Sequence, residues 1–355
     1  MNKKTVAVIF GGVSNEYFVS LRSAASVLEN ISKQRYNICM LGITQAGVWY
    51  EYTGDVANIV ADTWLQSGNV TPAFIVPDRS IGGYIRLENQ QAQRVSIDIA
   101  FPVMHGKNAE DGTMQGLLEL SGIAYVGCNV SASTLCMDKE YTHRVLDQAG
   151  IQTAKWLKLS KQDWQHSNDT ESFVSSTLSY PVFVKPANAG SSVGVSKAMN
   201  YTQLCTSLEL AFIHDKKVII EGALLGKEVE CAVLGNENPK ASSIGEIAPT
   251  HDIYDYEAKY INDTANLYIP ARIPVDAAQK IKEIAILAYK TLGCSGLSRV
   301  DFFLCDTGEI ILNEINTMPG FTSISMYPKL FIHDGITYPD LIDALLTFAL
   351  QKNKE

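Results

Sequence analysis

The segment 296–320, GLSRVDFFLCDTGEIILNEINTMPG, holds the densest set of groups that could do chemistry. It reads as a strand, a tight turn containing Asp306, Thr307 and Gly308, and a second strand. Residues two apart on a strand share a face, so Arg299 and Asp301 point one way on the first strand, as do Glu314 and Asn316 on the second. If the turn centres on Thr307 and Gly308, Asp301 lies opposite Glu314 and Arg299 opposite Asn316. Two carboxylates and an amide oxygen form a hard, all-oxygen set that suits Mg²⁺, which is usually held by carboxylates together with the phosphates of a nucleotide. The bland alternative is an exposed face of solvated charges. The apolar neighbours Val300, Phe302, Ile311 and Ile315, and the Met318-Pro319-Gly320 turn that follows, weigh against it.

A second set is the run 185–194, KPANAGSSVG, in which Lys185 closes a strand and a small-residue loop follows. Small residues let backbone N–H groups and hydroxyls approach phosphate oxygens, and the lysine adds charge. Neither GxxxxGK[ST] nor GxGxxG occurs in the chain, so this is not a Walker A or dinucleotide loop. Alone, a Gly-Ser loop is more often a plain turn; beside a magnesium-type carboxylate pair it becomes a phosphate cover. Two further segments are HGKNAEDGTMQG at 105–116 and YDYEAKY at 254–260. A histidine closing a buried strand is as often structural as functional, and His105 stays open on this ground.

The elements that must position these groups have an α/β pattern. A strand over 5–10, the Gly11-Gly12 turn and a helix over 19–30 make a first βα unit. Strands over 36–42 and 97–104 follow, separated by a variable polar region at about 51–95. A helical segment over 132–150 precedes a strand-loop-strand at 180–196, and 218–235 reads as two strands about a short connection. Ile281, Ile284, Ala285, Ala288 and Leu292 recur at helical spacing over 277–292, with Asp276 placed to cap and Gly293 to end the helix.

Composition narrows the partners. The chain has 355 residues, enough for two or three packed units. Its 29 basic and 38 acidic residues leave a net charge of -9, which offers no electrostatic footprint for nucleic acid or an anionic membrane and points to small molecules. An acidic protein that handles phosphates must then place its cations locally. The seven cysteines contain no CxxC pair, and the opening MNKKTVAVIFGG runs into glycines without an apolar stretch of signal length, so a reduced, cytoplasmic protein is expected.

HGxxxEDGxxQG, KPxxxGSSVGVSK, YDYxxKY and RxD…ExNxxPGF, in this order, resemble the D-alanine-D-alanine ligases over nearly the whole chain. The resemblance implies an α/β, three-domain ATP-grasp fold with a Rossmann-like unit over 1–127, a central subdomain over 128–220 and a C-terminal subdomain over 221–355. It also implies ATP, Mg²⁺ (two ions, with Mn²⁺ as a substitute), and a homodimer that makes D-Ala-D-Ala for peptidoglycan through an acyl phosphate. By the same resemblance Lys139, Lys185, Ser192, Glu221, Glu228 and Lys259 meet the nucleotide, and Asp301, Glu314 and Asn316 hold the metal. Arg299 and the Gly320 amide steady the oxyanion, Ser191 pairs with Tyr260, and His105 sits by the first D-alanine. Glu16, Phe18, Tyr254, Ser325 and Met326 are the remaining substrate positions.

One position departs from the pattern. The family commonly has a segment like SxExEVS, and here Ser14-Asn15-Glu16-Tyr17-Phe18-Val19-Ser20 sets Phe18 where a glutamate is expected to meet the first substrate's ammonium. D-Ala-D-Ser ligases of the vancomycin-resistance type also vary there and share the Glu-Tyr pair, which makes them the alternative. They usually carry arginine where Met326 stands, and the D-lactate class usually has a histidine-bearing loop where Lys259 and Tyr260 stand, so D-alanine is favoured as second substrate. Another ATP-grasp carboxylate-amine ligase, or a nucleotide-binding protein without ligase activity, stands outside these.

Overall fold

The computed structural model describes residues 3–166, 169–249 and 265–352. Among them the strands form three sheets. The first has β1 (Lys4–Gly11), β2 (Tyr36–Ile43), β3 (Trp49–Tyr52), β4 (Val70–Ile75), β5 (Gly83–Glu88), β6 (Gln91–Ser96), β7 (Ile99–Pro102) and β8 (Ala124–Tyr125) in the order β6-β5-β4-β3-β2-β1-β7-β8. β1 pairs in parallel with β2 and β7, and its residues 6–10 are fully buried, as the unbroken apolar run VAVIF requires of a strand covered on both faces. The helix Tyr17–Asn30 covers one face through Tyr17, Leu21, Ala24 and Leu28.

The region 51–95 is not a featureless connection but an antiparallel extension of this sheet, β3 to β6. Its alternation is masked by a buried polar cluster: Glu51, 8 % exposed, accepts from the Tyr84 hydroxyl at 2.5 Å and pairs with Arg86 at 3.0 Å. A carboxylate at an inward position reads as solvent-facing in a sequence, although here its charge is matched inside.

The second sheet holds β9 (Trp156–Ser160), β10 (Val182–Pro186), β11 (Ser196–Ala198) and β12 (Lys217–Gly222) in the order β11-β10-β12-β9. The third holds β13 (Gly226–Gly235), β14 (Lys240–Pro249), β15 (Ala265–Tyr268), β16 (Gly296–Cys305) and β17 (Ile310–Asn316) in the order β15-β14-β13-β16-β17. The division expected between 220 and 221 falls inside β12, so Glu221 belongs to the second sheet. The helix Tyr338–Lys352 returns to the first sheet, where Leu341, Leu345 and Ala349 share a core with Val6, Val8 and Phe101.

The expected helix over 132–150 is two helices, Val130–Met137 and Lys139–Gln148. Asp138 breaks it: its side chain takes the N–H groups of Glu140 and Tyr141, ending one helix and capping the next. Lys217 fixes that carboxylate at 2.7 and 2.8 Å. The helix Val275–Thr291 starts earlier than its periodicity suggests, with Pro274 at the N-cap and Asp276 in the first turn, where it complements the helix dipole instead of capping.

Candidate active site

The β16–β17 hairpin pairs as the sequence predicts, Asp301 with Glu314 and Arg299 with Asn316. The route to that register differs. The loop spans three residues, with Gly308 N–H donating to Cys305 O at 2.8 Å and Cys305 N–H to Glu309 O at 2.9 Å. A register shift after Asp301 pairs Phe302 with Leu312, leaving Asn313 as the extra residue of a bulge. The bulge offsets the odd loop, so the pairing at the site is preserved. It also brings Asn313 onto the same cavity wall as Glu314, with Asn313 Oδ1 3.3 Å from Lys185 Nζ.

Two cavities meet at this hairpin. The larger, about 510 Å³, lies between the second and third sheets. Phe183, Val195, Leu224 and Phe303 give it apolar walls, and Lys139, Lys185 and Lys227 supply cations. Its volume is in the range of small-molecule sites. Ser192, Glu221, Glu228 and Glu314 also line it. The helix break at Asp138 sets Lys139 at the start of a helix, where its N–H donates to Ala187 O at 3.0 Å and its Nζ to Ala189 O at 2.8 Å. Burial lowers the Lys139 pKa, and the nearby Lys185 adds to this, while Glu314 and Glu221 oppose it. Lys185 Nζ is 2.6 Å from Glu221 Oε2. Burial opposes ionisation of Glu221, but Lys185 and His143 outweigh it and hold the carboxyl well below the usual range.

The smaller cavity, about 100 Å³, gathers Glu16, His105, Ser191, Arg299, Glu314 and Asn316, closed by Gly320, Ser325 and Met326. Glu16 leaves the first loop and accepts from the Ser191 hydroxyl. Gly106 makes room for it, since a Cβ there would stand 2.6 Å from Glu16 Oε2, at a φ of +67° that favours glycine. Ser191 and Ser192 hold φ of 50° and 58°, a left-handed conformation costly for residues with a Cβ, and the Glu16 contact helps to fix it. His105 is buried, with Nδ1 3.1 Å from Met318 O and 3.5 Å from Glu110 Oε1. Arg299 bridges carboxylates, to Glu230 at 3.1 Å and to Asp301 at 2.6 and 2.7 Å.

Nineteen positions drawn from the sequence thus fall into groups. Nine line the smaller cavity and seven the larger, with Ser191 and Glu314 on both. Asp301, 2 % exposed, lies behind the wall and is held by Arg299 and by Asn316 Nδ2 at 3.0 Å. Phe18 does not join them. It is the second residue of its helix, 50 % exposed, with its ring against Tyr17, and the carboxylate that reaches the cavity is Glu16. A carboxylate from two residues earlier therefore stands on the cavity wall. Tyr254, Lys259 and Tyr260 lie outside the described residues.

Sequence reasoning passed over Glu110, Glu230, Asn313 and His143. Glu228 and Glu230 alternate on β13, and that spacing was the available signal for Glu230, which pairs directly across from Asp301.

For a cation, Glu314 and Asn316 open onto the cavity with oxygen donors. The Asn316 amide gives its N–H₂ to Asp301, which leaves the carbonyl oxygen to a metal, and Asp301 holds the hairpin's second carboxylate directly behind. This hard-oxygen set fits a magnesium-type ion.

Known proteins share this architecture. Residues 5–128 match the family model described as D-ala D-ala ligase N-terminus and residues 145–347 the one described as D-ala D-ala ligase C-terminus. The chain belongs to the D-alanine-D-alanine ligase family. A D-alanine-D-alanine ligase of Caldicellulosiruptor bescii is 45 % identical over 357 residues, covering 100 % of this chain and 97 % of the relative. Among solved structures, the VanG D-Ala:D-Ser ligase from Enterococcus faecalis superposes with a TM-score of 0.90 at 41 % identity, covering 98 % of this chain and 100 % of that one. The D-alanine-D-alanine ligase from Coxiella burnetii superposes with a TM-score of 0.88 at 33 % identity, covering 100 % and 96 %. This ligase therefore has the ATP-grasp α/β fold of its family, is an ATP-dependent enzyme, and serves cell-wall synthesis. Among the described residues no helix is long and apolar enough to cross a membrane.

Proposed function

We propose that this ligase joins two D-alanines, with ATP in the larger cavity and the amino acids in the smaller one. The observation that carries the reading is that Glu314 and Ser191 line both cavities, so a phosphate held by the lysines and a carboxylate beside Arg299 meet at one seam. Phosphoryl transfer needs mainly positioning and neutralised charge. Lys139 and Lys185 supply the cations on the nucleotide side, Ser191 and Ser192 the hydroxyls of the cover, Glu221 holds Lys185, and Glu228 flanks the nucleotide's other end.

The carboxylate of the first D-alanine attacks the γ-phosphorus of ATP, and ADP leaves. The amine of the second D-alanine then attacks the acyl phosphate, and inorganic phosphate leaves as the peptide bond forms. Arg299 and the Gly320 N–H receive the charge of the tetrahedral oxygen. Glu16 faces the first substrate's ammonium, and His105 borders the same cavity. Glu314 and Asn316, with Asp301 behind them, would hold two Mg²⁺ ions, which supply charge neutralisation on the phosphates when bound.

Met326 supports D-alanine as the second substrate. Its thioether packs so tightly on Gly245 that a Cβ there would stand 2.7 Å from Sδ, and an apolar wall leaves a serine hydroxyl without a strong partner. The likeness to a D-Ala:D-Ser ligase favours D-serine as the second reading. Phosphate release with D-alanine, D-serine and D-lactate in competition, with products identified, separates them. Preferential D-Ala-D-Ser formation would overturn the first.

A further inference from the structure

His143, on the helix Lys139–Gln148, is used by none of the chemistry above. It is 3 % exposed and stacks on Trp156, with ring centroids 5.2 Å apart and planes 18° from parallel. Its Nε2 lies 3.0 Å from Glu221 Oε1, while the other Glu221 oxygen accepts from Lys185 Nζ at 2.6 Å. An ionised carboxylate only accepts hydrogen bonds, so Nε2 carries the hydrogen and donates it. One carboxylate on β12 thus ties a ring on a helix to an ammonium on β10. Lys185 and Glu221 line the nucleotide cavity, whereas His143 does not reach it.

We propose that His143 is a positioning residue for the nucleotide, which through Glu221 fixes the Lys185 ammonium where ATP phosphates are to be met. The inference rests on the larger cavity being the ATP site. A carboxylate with one partner turns about its terminal torsion and can follow the lysine; with a second donor on its other oxygen it is held, and so is the ammonium. Trp156 fixes the ring plane and hence the direction in which Nε2 donates.

The test uses two substitutions with opposite losses. His143→Phe keeps a ring to stack on Trp156 but has no donor; His143→Gln gives up the ring and keeps an N–H. ATP affinity is measured by calorimetry, KM and kcat by initial rates, and folding by melting temperature. If His143 acts by donating, His143→Phe weakens ATP binding and raises the ATP KM roughly tenfold, with the D-alanine KM values and kcat at saturating ATP within about twofold. His143→Gln recovers most of the affinity, and in a Glu221→Ala background His143→Phe adds no further loss.

Normal ATP affinity in a folded His143→Phe enzyme overturns the inference. So does a loss in His143→Gln larger than in His143→Phe, or a loss that persists in the Glu221→Ala background, since either assigns the ring to packing alone. Should unmodified enzyme fail to bind ATP, or Lys185→Ala bind it normally, the nucleotide reading itself falls, an outcome distinguishable from the others.

Discussion

The two cavities share Glu314 and Ser191, yet they differ in the cations set among their carboxylates. The larger sets three lysines among Glu221, Glu228, Glu246 and Glu314 between apolar walls, while the smaller draws Glu16, Glu110, Glu230 and Glu314 around one arginine and one histidine and has no lysine among the described residues. A polyanion needs cations; an amino acid's ammonium needs a carboxylate. A chain with a net charge of -9 meets both needs by sorting its lysines, which among the described residues line the larger cavity and not the smaller, while carboxylates line both. On the function proposed above the reaction lies at the seam, and each substitution below should damage one side, the other, or both.

Glu314 lines both cavities, so Glu314→Gln should have the largest effect. The shape is kept and a charge proposed to hold metal is lost. We expect kcat to fall by roughly a thousandfold, about 4 kcal/mol of barrier, with the melting temperature little changed. Turnover near normal would remove the hairpin from the chemistry. Lys185→Ala acts on the larger cavity alone. ATP should bind roughly 10–100-fold more weakly, as for a lost hydrogen bond to a charged group, while the D-alanine KM values change little. Titration of both ligands decides this, and equal damage to both would erase the division between the cavities.

On the smaller side the first loop offers a direct contrast. Glu16 is 8 % exposed and faces the cavity; Phe18 is 50 % exposed and does not. Glu16→Gln should raise the first-site KM for D-alanine by roughly tenfold with ATP affinity kept. Phe18→Glu, a surface change, should leave it within about twofold. Initial rates over a D-alanine range wide enough to resolve two sites give both numbers. A lowered KM in Phe18→Glu would restore Phe18 to the substrate pocket.

These contrasts also mark what the sequence could convey. The hairpin was legible because strand periodicity and one turn locate four polar side chains at once. The Asn313 bulge was not, since a three-residue loop with a bulge and a two-residue loop without one give the same pairing at the site. The first loop misled because family spacing offers two glutamate positions, and only the start of the helix at Tyr17 decides which one turns inward. The region 51–95 concealed four strands for a related reason: Glu51, Tyr84 and Arg86 satisfy one another inside the sheet, which a hydrophobic pattern cannot register. His143 lacked any signal, because its partner Glu221 lies 78 residues away on β12.

The smallest expected effect tests whether the smaller cavity holds a second cation. Burial opposes protonation of His105, but Glu110 and Glu16 and the Met318 carbonyl outweigh it, so its pKa is raised on folding. A raised folded value means that the native state binds the proton more tightly than the unfolded chain, whose histidine titrates near about 6.5. The stabilisation is therefore fully present below about pH 6.5 and is lost as pH rises through the folded value. Denaturant unfolding of the ligase and of His105→Gln, compared from about pH 5.5 to 8.5, should give a stability difference that is greatest in mild acid and shrinks towards the alkaline end. Glu110→Gln, which removes the nearest carboxylate, should flatten the trend without abolishing it, because Glu16 still faces the ring. A difference that stays constant across the window would mean that folding leaves the His105 pKa unshifted, and one that grows from mild acid towards neutrality would make the folded His105 neutral throughout, leaving Arg299 as the cation of that cavity.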